Sequence, residues 1–199
     1  MGTISEKILN LANTQGLIHS RDVTKRGMPR SVLARLIKKG QLTRLGRGLY
    51  AVNDRETSAN INMAEVALMY PKGIICLLSA LRIHELTTQS PFEVWLAIPN
   101  KNQPPKIDYP PLRIVRFSGK ALTEGIEERQ IDGTTVRVTC LARTVVDCFK
   151  FRNKIGIDVA IEALQEAIRS KRTTMDDLWY FAKMYRMAKV MRPYMESLS

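Results

Sequence analysis

Basic side chains near the N-terminus have the spacing needed to contact a nucleic acid. In residues 28–40, Arg30, Arg35 and Lys38 alternate with apolar residues at helical spacing. An arginine on such a helix can bind guanine O6 and N7 in the major groove, and lysines at its far end suit backbone phosphates. This segment therefore predicts a DNA-reading helix.

A second basic segment follows at once, in residues 42–52. Arg44 and Arg47 flank a tip formed by Gly46 and Gly48, and leucines at 42, 45 and 49, with Tyr50, are predicted to pack inward. Glycines allow a tight turn, and arginines beside it can reach phosphates or a narrow minor groove. The segment indicates a small β-hairpin, the wing of a winged helix-turn-helix.

The elements that must position these cations are three short predicted helices. Ser5 is expected to cap the first helix, which Gly16 ends, and a second helix is expected from Ser20 to Gly27. The third begins near Pro29 and ends at Gly40, with Val32, Leu33, Leu36 and Ile37 on its inner face. The connection between helices two and three has the length that a helix-turn-helix uses.

The predicted DNA contacts all lie in a winged helix-turn-helix domain over residues 1–56. They combine the outer face of the third helix, the start of the second helix and the wing. They are Arg21, Arg30, Ser31, Arg35, Lys38, Lys39, Arg44 and Arg47.

The charge distribution favours a polyanionic partner for this region. The chain of 199 residues has a net charge of +12. Residues 1–56 hold eleven lysines and arginines against four acids, and residues 57–199 hold twenty against fifteen. We find no apolar run long enough for a membrane span and no signal-peptide pattern, and expect a cytoplasmic protein.

Residues 57–199 are predicted to form one mixed α+β domain, so that the fold class of the whole chain is α+β. We expect a strand at 92–98 with one inward face, another at 112–117, and a hairpin around Asp132 and Gly133. Ser79 is expected to cap a helix, and a last helix is expected from Thr174 to near Pro193. Cys76, Cys140 and Cys148 read as reduced thiols, mostly buried.

The second domain carries no clear catalytic pattern. His84 reads as a packed or surface histidine, and Asp147 is expected to pair with Arg143. No phosphate-binding loop and no metal-ligand spacing is present, so we expect no cofactor, no metal and no enzymatic activity. One alternative is a metal-dependent nuclease using Glu93, Asp108 and Glu124, and another is a module that binds an acidic protein.

The motifs resemble one family over nearly the whole chain. In the first domain these are GLI at 16–18, SRDV at 20–23, Gly27 and RLIKKGQLTRLGRGLY at 35–50. The second adds LSALRIHELT at 78–87, PFEVWLAI at 91–98 and RTVVDCFK at 143–150. Together they are similar to AbiEi-type antitoxins of bacterial toxin–antitoxin and phage-defence operons.

The resemblance implies a transcriptional autorepressor that binds inverted repeats in its promoter through the winged domain. It also implies a C-terminal antitoxin domain that counters an AbiEii-type nucleotidyltransferase toxin, in a type IV arrangement that requires no stable complex between the two. Winged domains of this kind also occur fused to nuclease-like modules, which keeps the enzyme alternative open.

Overall fold

Helices and strands are mixed along the chain, which confirms the predicted α+β class. The computed structural model describes residues 2–46, 48–53, 60–89, 91–107 and 109–198. The chain divides into two compact units, the first formed by Met1–Pro71 with Pro105–Pro111 and Arg129–Val136, and the second by the remainder. The predicted domain boundary between residues 56 and 57 falls in 54–59, outside the described residues.

Among its described residues, the first unit contains four helices and an antiparallel sheet of three strands in the order β1-β3-β2. This succession of helices followed by a hairpin matches the predicted winged helix-turn-helix. The bounds are α1 (Ile4–Gln15), β1 (Leu17–His19), α2 (Ser20–Lys25), α3 (Ser31–Lys38), β2 (Leu42–Gly46), β3 (Leu49–Val52) and α4 (Ile61–Met69).

Helix α1 begins two residues earlier than its predicted cap requires. Thr3, not Ser5, is the N-cap: its hydroxyl accepts a hydrogen bond from the backbone N–H of Glu6, whose carboxylate accepts one from the backbone N–H of Thr3 at 2.9 Å. This reciprocal capping box satisfies two backbone donors, where Ser5 alone would satisfy one. Gly16 ends the helix as predicted, at a φ of 77°.

Helices α1, α2 and α3 pack around one apolar cluster, which fixes the orientation of α3. The cluster is made by one face of α1, by β1 and β2, and by the inner faces of α2 and α3. Because Val32, Leu33 and Leu36 are buried in it, the opposite face of α3 must point to solvent. The buried members are Ile8, Leu11, Ala12, Ile18, Val23, Val32, Leu33, Leu36 and Leu42.

Strand β1 was not predicted, and it enlarges the wing from two strands to three. Leu17 and His19 lie opposite Ala51 and Leu49 of β3. Three residues are too few to show an alternating pattern in the sequence. The consequence is that β3 is the central strand, so the wing is held to the start of α2 by a backbone ladder.

Most residues of a five-stranded sheet, with the strand order β6-β5-β4-β8-β7, belong to the second unit together with several helices. Strands β5 and β6 run parallel, as do β4 and β8, while β4 and β5 are antiparallel. The bounds are β4 (Ile74–Ile75), α5 (Leu77–Ile83), β5 (Val94–Pro99), β6 (Leu112–Phe117), a 3-10 helix (Gly119–Leu122), β7 (Ile126–Ile131), β8 (Thr134–Thr139), α6 (Leu141–Lys150), α7 (Arg152–Ile155), α8 (Ile157–Arg169), α9 (Met175–Met184) and α10 (Ala188–Glu196).

Two local predictions for this unit are wrong. The residues of β5 from Val94 to Ile98 are all buried, so the strand has two buried faces instead of one, as expected for a strand inside a mixed sheet. Ser79 does not cap α5. It lies inside the helix, where its hydroxyl accepts a hydrogen bond from the backbone N–H of Trp95 at 2.9 Å and so ties the helix to the sheet.

The last predicted helix is two helices. The capping box of Thr174 and Asp177 starts α9 as predicted, but the chain turns after Met184, with Arg186 at a φ of 61°, before α10 begins. Pro193 lies inside α10 and does not end it. Among the described residues, no helix is both long and apolar enough to cross a membrane.

Candidate nucleic-acid interface

Helix α3 presents a mostly polar face to solvent. Ser31, Ala34, Arg35 and Lys38 are exposed, and Lys39 follows in the same environment. Arg30 occupies the N-cap position, where its side chain makes no capping hydrogen bond. The side chains that the sequence assigned to DNA contact on this helix therefore lie on one accessible face.

The electrostatic character of this face is strongly positive. Helix α3 has no acidic residue in its first turn and carries Arg35 and Lys38 in its last. Within the described part of the chain, Arg30, Lys38 and Lys39 form no ion pair with a carboxylate. Cations that are not neutralised within the protein are available to release counterions from a polyanion.

Arg35 is held by α1. Its Nη2 donates a hydrogen bond to the Oγ of Ser5 at 2.9 Å, across thirty residues of sequence. A guanidinium has five N–H donors in a planar fork, so this bond uses one and leaves others for a second acceptor. Arg35 is thus an exposed cation whose direction is fixed by a neighbouring helix.

The turn between α2 and α3 is closed by backbone hydrogen bonds. The N–H of Gly27 donates to the carbonyl of Thr24 at 3.0 Å, and the N–H of Met28 donates to the carbonyl of Val23 at 3.1 Å. Gly27 has a φ of 72°, in the left-handed region that favours glycine. This compact turn sets the position of Arg30 at the start of α3.

The wing is an antiparallel hairpin of β2 and β3 with an irregularity between Arg44 and Gly46. Leu42 and Leu49 are buried as predicted, and Leu45 and Tyr50 are half-buried. Arg44 is exposed, and its Nε donates to the carbonyl of Gly46 at 3.1 Å, which keeps the guanidinium along the wing. Arg47, the second predicted wing contact, lies outside the described residues.

Asn53 connects the wing to the end of α3. Its Nδ2 donates to the carbonyl of Gly40 at 2.7 Å, and its Oδ1 accepts from the hydroxyl of Thr43. No role for Asn53 was predicted from the sequence. An asparagine directly after the predicted hairpin was the only signal, because its partners, the carbonyl of Gly40 and the hydroxyl of Thr43, lie thirteen and ten residues away in sequence.

The tip of the wing rests against the start of α2. The backbone N–H of Ser20 donates to the carbonyl of Gly48 at 2.7 Å. Gly48 has a φ of 79°, and a Cβ at this position would lie 2.9 Å from the Oγ of Ser20 and 3.0 Å from Cε1 of His19. Only glycine fits here without strain, so the wing tip and α2 have a fixed separation.

His19 is the N-cap of α2 and lies beside two predicted DNA-contacting arginines. Its Nδ1 accepts a hydrogen bond from the backbone N–H of Arg21 at 3.2 Å. Burial lowers the pKa of His19, and the positive charges of Arg21 and Arg30 lower it further against the opposing effect of Asp22. His19 is therefore a neutral side chain inside a positive surface.

The residues of the nuclease alternative do not assemble a metal site in the part that the structure describes. Glu93 forms an ion pair with Arg113, with 2.9 Å between Oε1 and Nε, and Asp108 lies outside the described residues. Among the described residues, no three His, Cys, Asp or Glu side chains converge in a way that would hold a metal ion. His84 is buried, with Nε2 2.7 Å from the carbonyl oxygen of Thr139.

The buried polar centre of the second unit is the predicted pair of Arg143 and Asp147. Nε of Arg143 lies 3.2 Å from Oδ2 of Asp147, and both side chains are almost fully buried. The guanidinium also donates to the carbonyls of Ala121 and Glu124 and lies over the Phe117 ring. This arrangement uses the donors of Arg143 for internal contacts and gives the pair a structural role.

Comparison with known structures supports the fold of the whole chain. The crystal structure of the RV2827C protein from Mycobacterium tuberculosis matches with a TM-score of 0.60 and 11% identity, over 92% of this chain and 72% of that chain. At this identity the similarity shows the fold alone. No curated protein matches the chain significantly.

A family model described as "Transcriptional regulator, AbiEi antitoxin" matches residues 6–53. The match covers α1, α2, α3 and the wing, and so includes every element of the surface described above. It supports a role in transcriptional regulation and as an antitoxin. Residues 6–53, less than half of the 199 residues of the chain, are thus similar to the AbiEi antitoxin family of transcriptional regulators.

Proposed function

We propose that this protein is an antitoxin and transcriptional autorepressor that binds inverted repeats in its own promoter. Residues 1–56 act as the winged helix-turn-helix domain, and residues 57–199 as the antitoxin domain. The DNA contacts are Arg21, Arg30, Ser31, Arg35, Lys38, Lys39, Arg44 and Arg47.

One observation carries the DNA-binding part of the proposal: the exposed face of α3 holds several cations and no carboxylate. A helix with a buried apolar stripe and an exposed basic face fits the major groove, with its first residues nearest the base edges. Arg30 and Ser31 stand at that end, and Lys38 and Lys39 at the other, where they suit phosphates.

The antitoxin part rests on the family description and on the resemblance of the motifs in the second domain. We propose that this domain counters a nucleotidyltransferase toxin encoded in the same operon. Two of those motifs build the protein's interior: Ser79 and Trp95 join α5 to β5, and Arg143 and Asp147 form the buried pair. The surface that counters the toxin therefore lies outside these two motifs of the domain.

Promoter binding is tested by titrating the full chain into a labelled duplex of its own upstream region and into a scrambled duplex of equal length. We expect tighter binding to the promoter, and a logarithm of affinity that falls linearly with the logarithm of salt concentration. Lys38→Ala is expected to reduce the magnitude of that slope by about 0.9, the contribution of one phosphate contact. Equal affinity for both duplexes would contradict operator recognition.

The matched control for this experiment is Lys189→Ala, because Lys189 is an exposed lysine on α10, outside the winged helix. It removes one positive charge and is expected to leave affinity and salt slope unchanged. A loss equal to that of Lys38→Ala would indicate that net charge, not the winged helix, drives binding.

The antitoxin role is tested by growth of cells that express the toxin together with the full chain. We expect rescue by the unmodified protein and also by the double variant Arg30→Ala, Lys38→Ala, when both genes are driven by an unrelated promoter. Rescue by both proteins separates neutralisation from DNA binding. Loss of rescue in the double variant at equal protein level would overturn the division of roles between the two domains.

A further inference from the structure

His19 is positioned to do more than cap α2. Its Nδ1 accepts the hydrogen bond from the backbone N–H of Arg21, and an imidazole nitrogen that accepts carries no proton. In the neutral ring the proton must then be on Nε2. The cap therefore fixes the tautomer and leaves Nε2–H as a donor.

The Nε2 donor lies at the junction of the wing and α2. A Cβ added to Gly48 would be 3.5 Å from Nε2, which places this nitrogen beside the wing tip. Within the described ranges, Nε2 of His19 has no hydrogen-bond partner, and the side chain is half-buried. The Nε2–H group of His19 can therefore donate a hydrogen bond to an acceptor outside the protein.

The charges around His19 select the chemical class of that acceptor. Arg21 and Arg30 are close enough to disfavour a positive charge on the ring, and Arg21 and Arg30 form no ion pair among the described residues. Among the described residues, Asp22 is the acid whose charge acts on the ring. An acceptor that satisfies a neutral N–H donor and two neighbouring guanidiniums together is an anion with several oxygens, such as a phosphodiester.

We propose that His19 donates Nε2–H to a backbone phosphate of bound DNA, while its Nδ1 keeps the cap of α2. The proposal rests on the DNA-binding function proposed above and adds a neutral contact at the junction of the wing and α2. Because the same ring caps α2 and touches the wing tip, this contact fixes the phosphate relative to both elements. It contributes to affinity on any sequence and does not read bases.

Two variants test the roles of the two nitrogens of the His19 ring separately. His19→Asn keeps an oxygen that caps α2 but has no donor at the reach of Nε2, whereas His19→Gln places a donor at that reach and is a poor cap. We expect His19→Asn to keep its melting temperature and lose about tenfold in affinity, equally on promoter and scrambled duplexes. We expect His19→Gln to lose stability and to bind more tightly than His19→Asn.

The salt dependence distinguishes a neutral donor from a charged one. His19→Asn is expected to keep the salt slope of the unmodified protein, whereas Lys38→Ala is expected to reduce its magnitude by about 0.9. A slope reduced by that amount in His19→Asn would show an imidazolium contact and would overturn the neutral-donor assignment. Wild-type affinity in His19→Asn, with the unmodified protein binding its promoter, would overturn the phosphate contact and leave the proposed function standing.

A spectroscopic readout does not depend on variants. The chain has two histidines, so the ring nitrogens of a ¹⁵N-labelled full chain give two sets of signals. For His19 we expect the Nε2–H tautomer without DNA, and a shift of the Nε2 signal when promoter duplex is added while Nδ1 stays unprotonated. A proton on Nδ1, or an Nε2 signal unchanged in a saturated complex, would overturn the proposal.

Discussion

Arg35 on α3 donates from Nη2 to the Oγ of Ser5 on α1 at 2.9 Å, so the central cation of the proposed recognition helix is anchored to a different helix. Both residues lie at the surface of the first unit. An exposed arginine normally loses rotamer freedom when it binds DNA. Here the free protein has already restricted that freedom, which lowers the cost of forming a base contact.

This relationship predicts coupling between Ser5 and Arg35 in DNA binding. Arg35→Ala is expected to lower promoter affinity by about tenfold and to relax preference over a scrambled duplex, because a bidentate base contact is lost. Ser5→Ala is expected to cost about twofold to threefold through lost pre-organisation. The measurement is duplex titration of each variant and of the double variant.

In the double variant, Ser5→Ala is expected to add nothing to the loss caused by Arg35→Ala, because its effect acts through the Arg35 side chain. Fully additive losses would show that Ser5 acts independently. Unchanged affinity and sequence preference in Arg35→Ala would count against the recognition-helix assignment itself.

Gly48 and Gly27 form a matched pair for testing the wing. Both have positive φ, 79° and 72°, but a Cβ at Gly48 would collide with Ser20 and His19, whereas a Cβ at Gly27 would meet nothing within 4 Å. Gly27→Ala is expected to cost about 1–2 kcal/mol of stability from the left-handed backbone alone. Gly48→Ala is expected to cost more, and also to displace the wing from α2.

Chemical denaturation measures the stability difference, and duplex titration measures the consequence for DNA. We expect weaker binding in Gly48→Ala at temperatures where both variants are folded, and nearly unchanged binding in Gly27→Ala. Equal losses of stability in the two variants would mean that Ser20 and His19 move aside at little cost, and that the wing tip is less constrained than its contacts indicate.

The winged part of this fold was predictable because its signals are local. The glycines that end α1 and α3 and the apolar stripe of α3 are each visible within a few residues. What the sequence does not show is the set of connections among these elements. The ladder between β1 and β3, the bond of Arg35 to Ser5, and the bond of Asn53 to Gly40 join residues whose pairing only the folded chain defines.

The second unit shows the same limit in its interior. The pair of Arg143 and Asp147 was predicted because the two residues are one helical turn apart. The complete burial of the pair was not predicted, since Arg143 donates to the carbonyls of Ala121 and Glu124, which are far from Arg143 in sequence. Likewise, serine is a residue type that often caps helices, but the hydroxyl of Ser79 bonds instead to the neighbouring strand, which the local sequence does not show.

The buried pair predicts unequal effects for its two members. Arg143→Ala is expected to destabilise the protein by about 3–5 kcal/mol, because it leaves Asp147 buried without its partner and empties space beside Phe117. Asp147→Asn is expected to cost less, since the amide oxygen still accepts from Arg143. Urea denaturation of each variant measures the two free energies of unfolding.

The pair also predicts a pH effect. Burial raises the pKa of Asp147 to about 6, against the opposing influence of Arg143 and Lys150. Because the unfolded chain loses this proton near its ordinary pKa of 3.8, the contribution of Asp147 to stability declines as pH rises from about that value to 6. Asp147→Asn is expected to lack this decline. If the free energy of unfolding falls equally with pH in the unmodified protein and in Asp147→Asn, the predicted pH effect of Asp147 is contradicted.

Glu65 on α4 is a buried carboxyl in an apolar helix of the first unit. It is 4% exposed, and its Oε2 has no hydrogen-bond partner in the described part of the chain. Burial raises its pKa from 4.5 to about 7. Between these two values the folded protein holds a proton that the unfolded chain has released, so stability falls as pH rises through this window and levels off above it.

Glu65→Gln keeps the size of the side chain and removes the titration. The free energy of unfolding of the unmodified protein minus that of Glu65→Gln is therefore expected to fall by about 1–3 kcal/mol from pH 4.5 to pH 8. Taking this difference cancels the contributions of His19 and Asp147, which titrate in both proteins. A difference that stays constant with pH would show that Glu65 is solvated or paired in solution, because burial is the cause of its raised pKa.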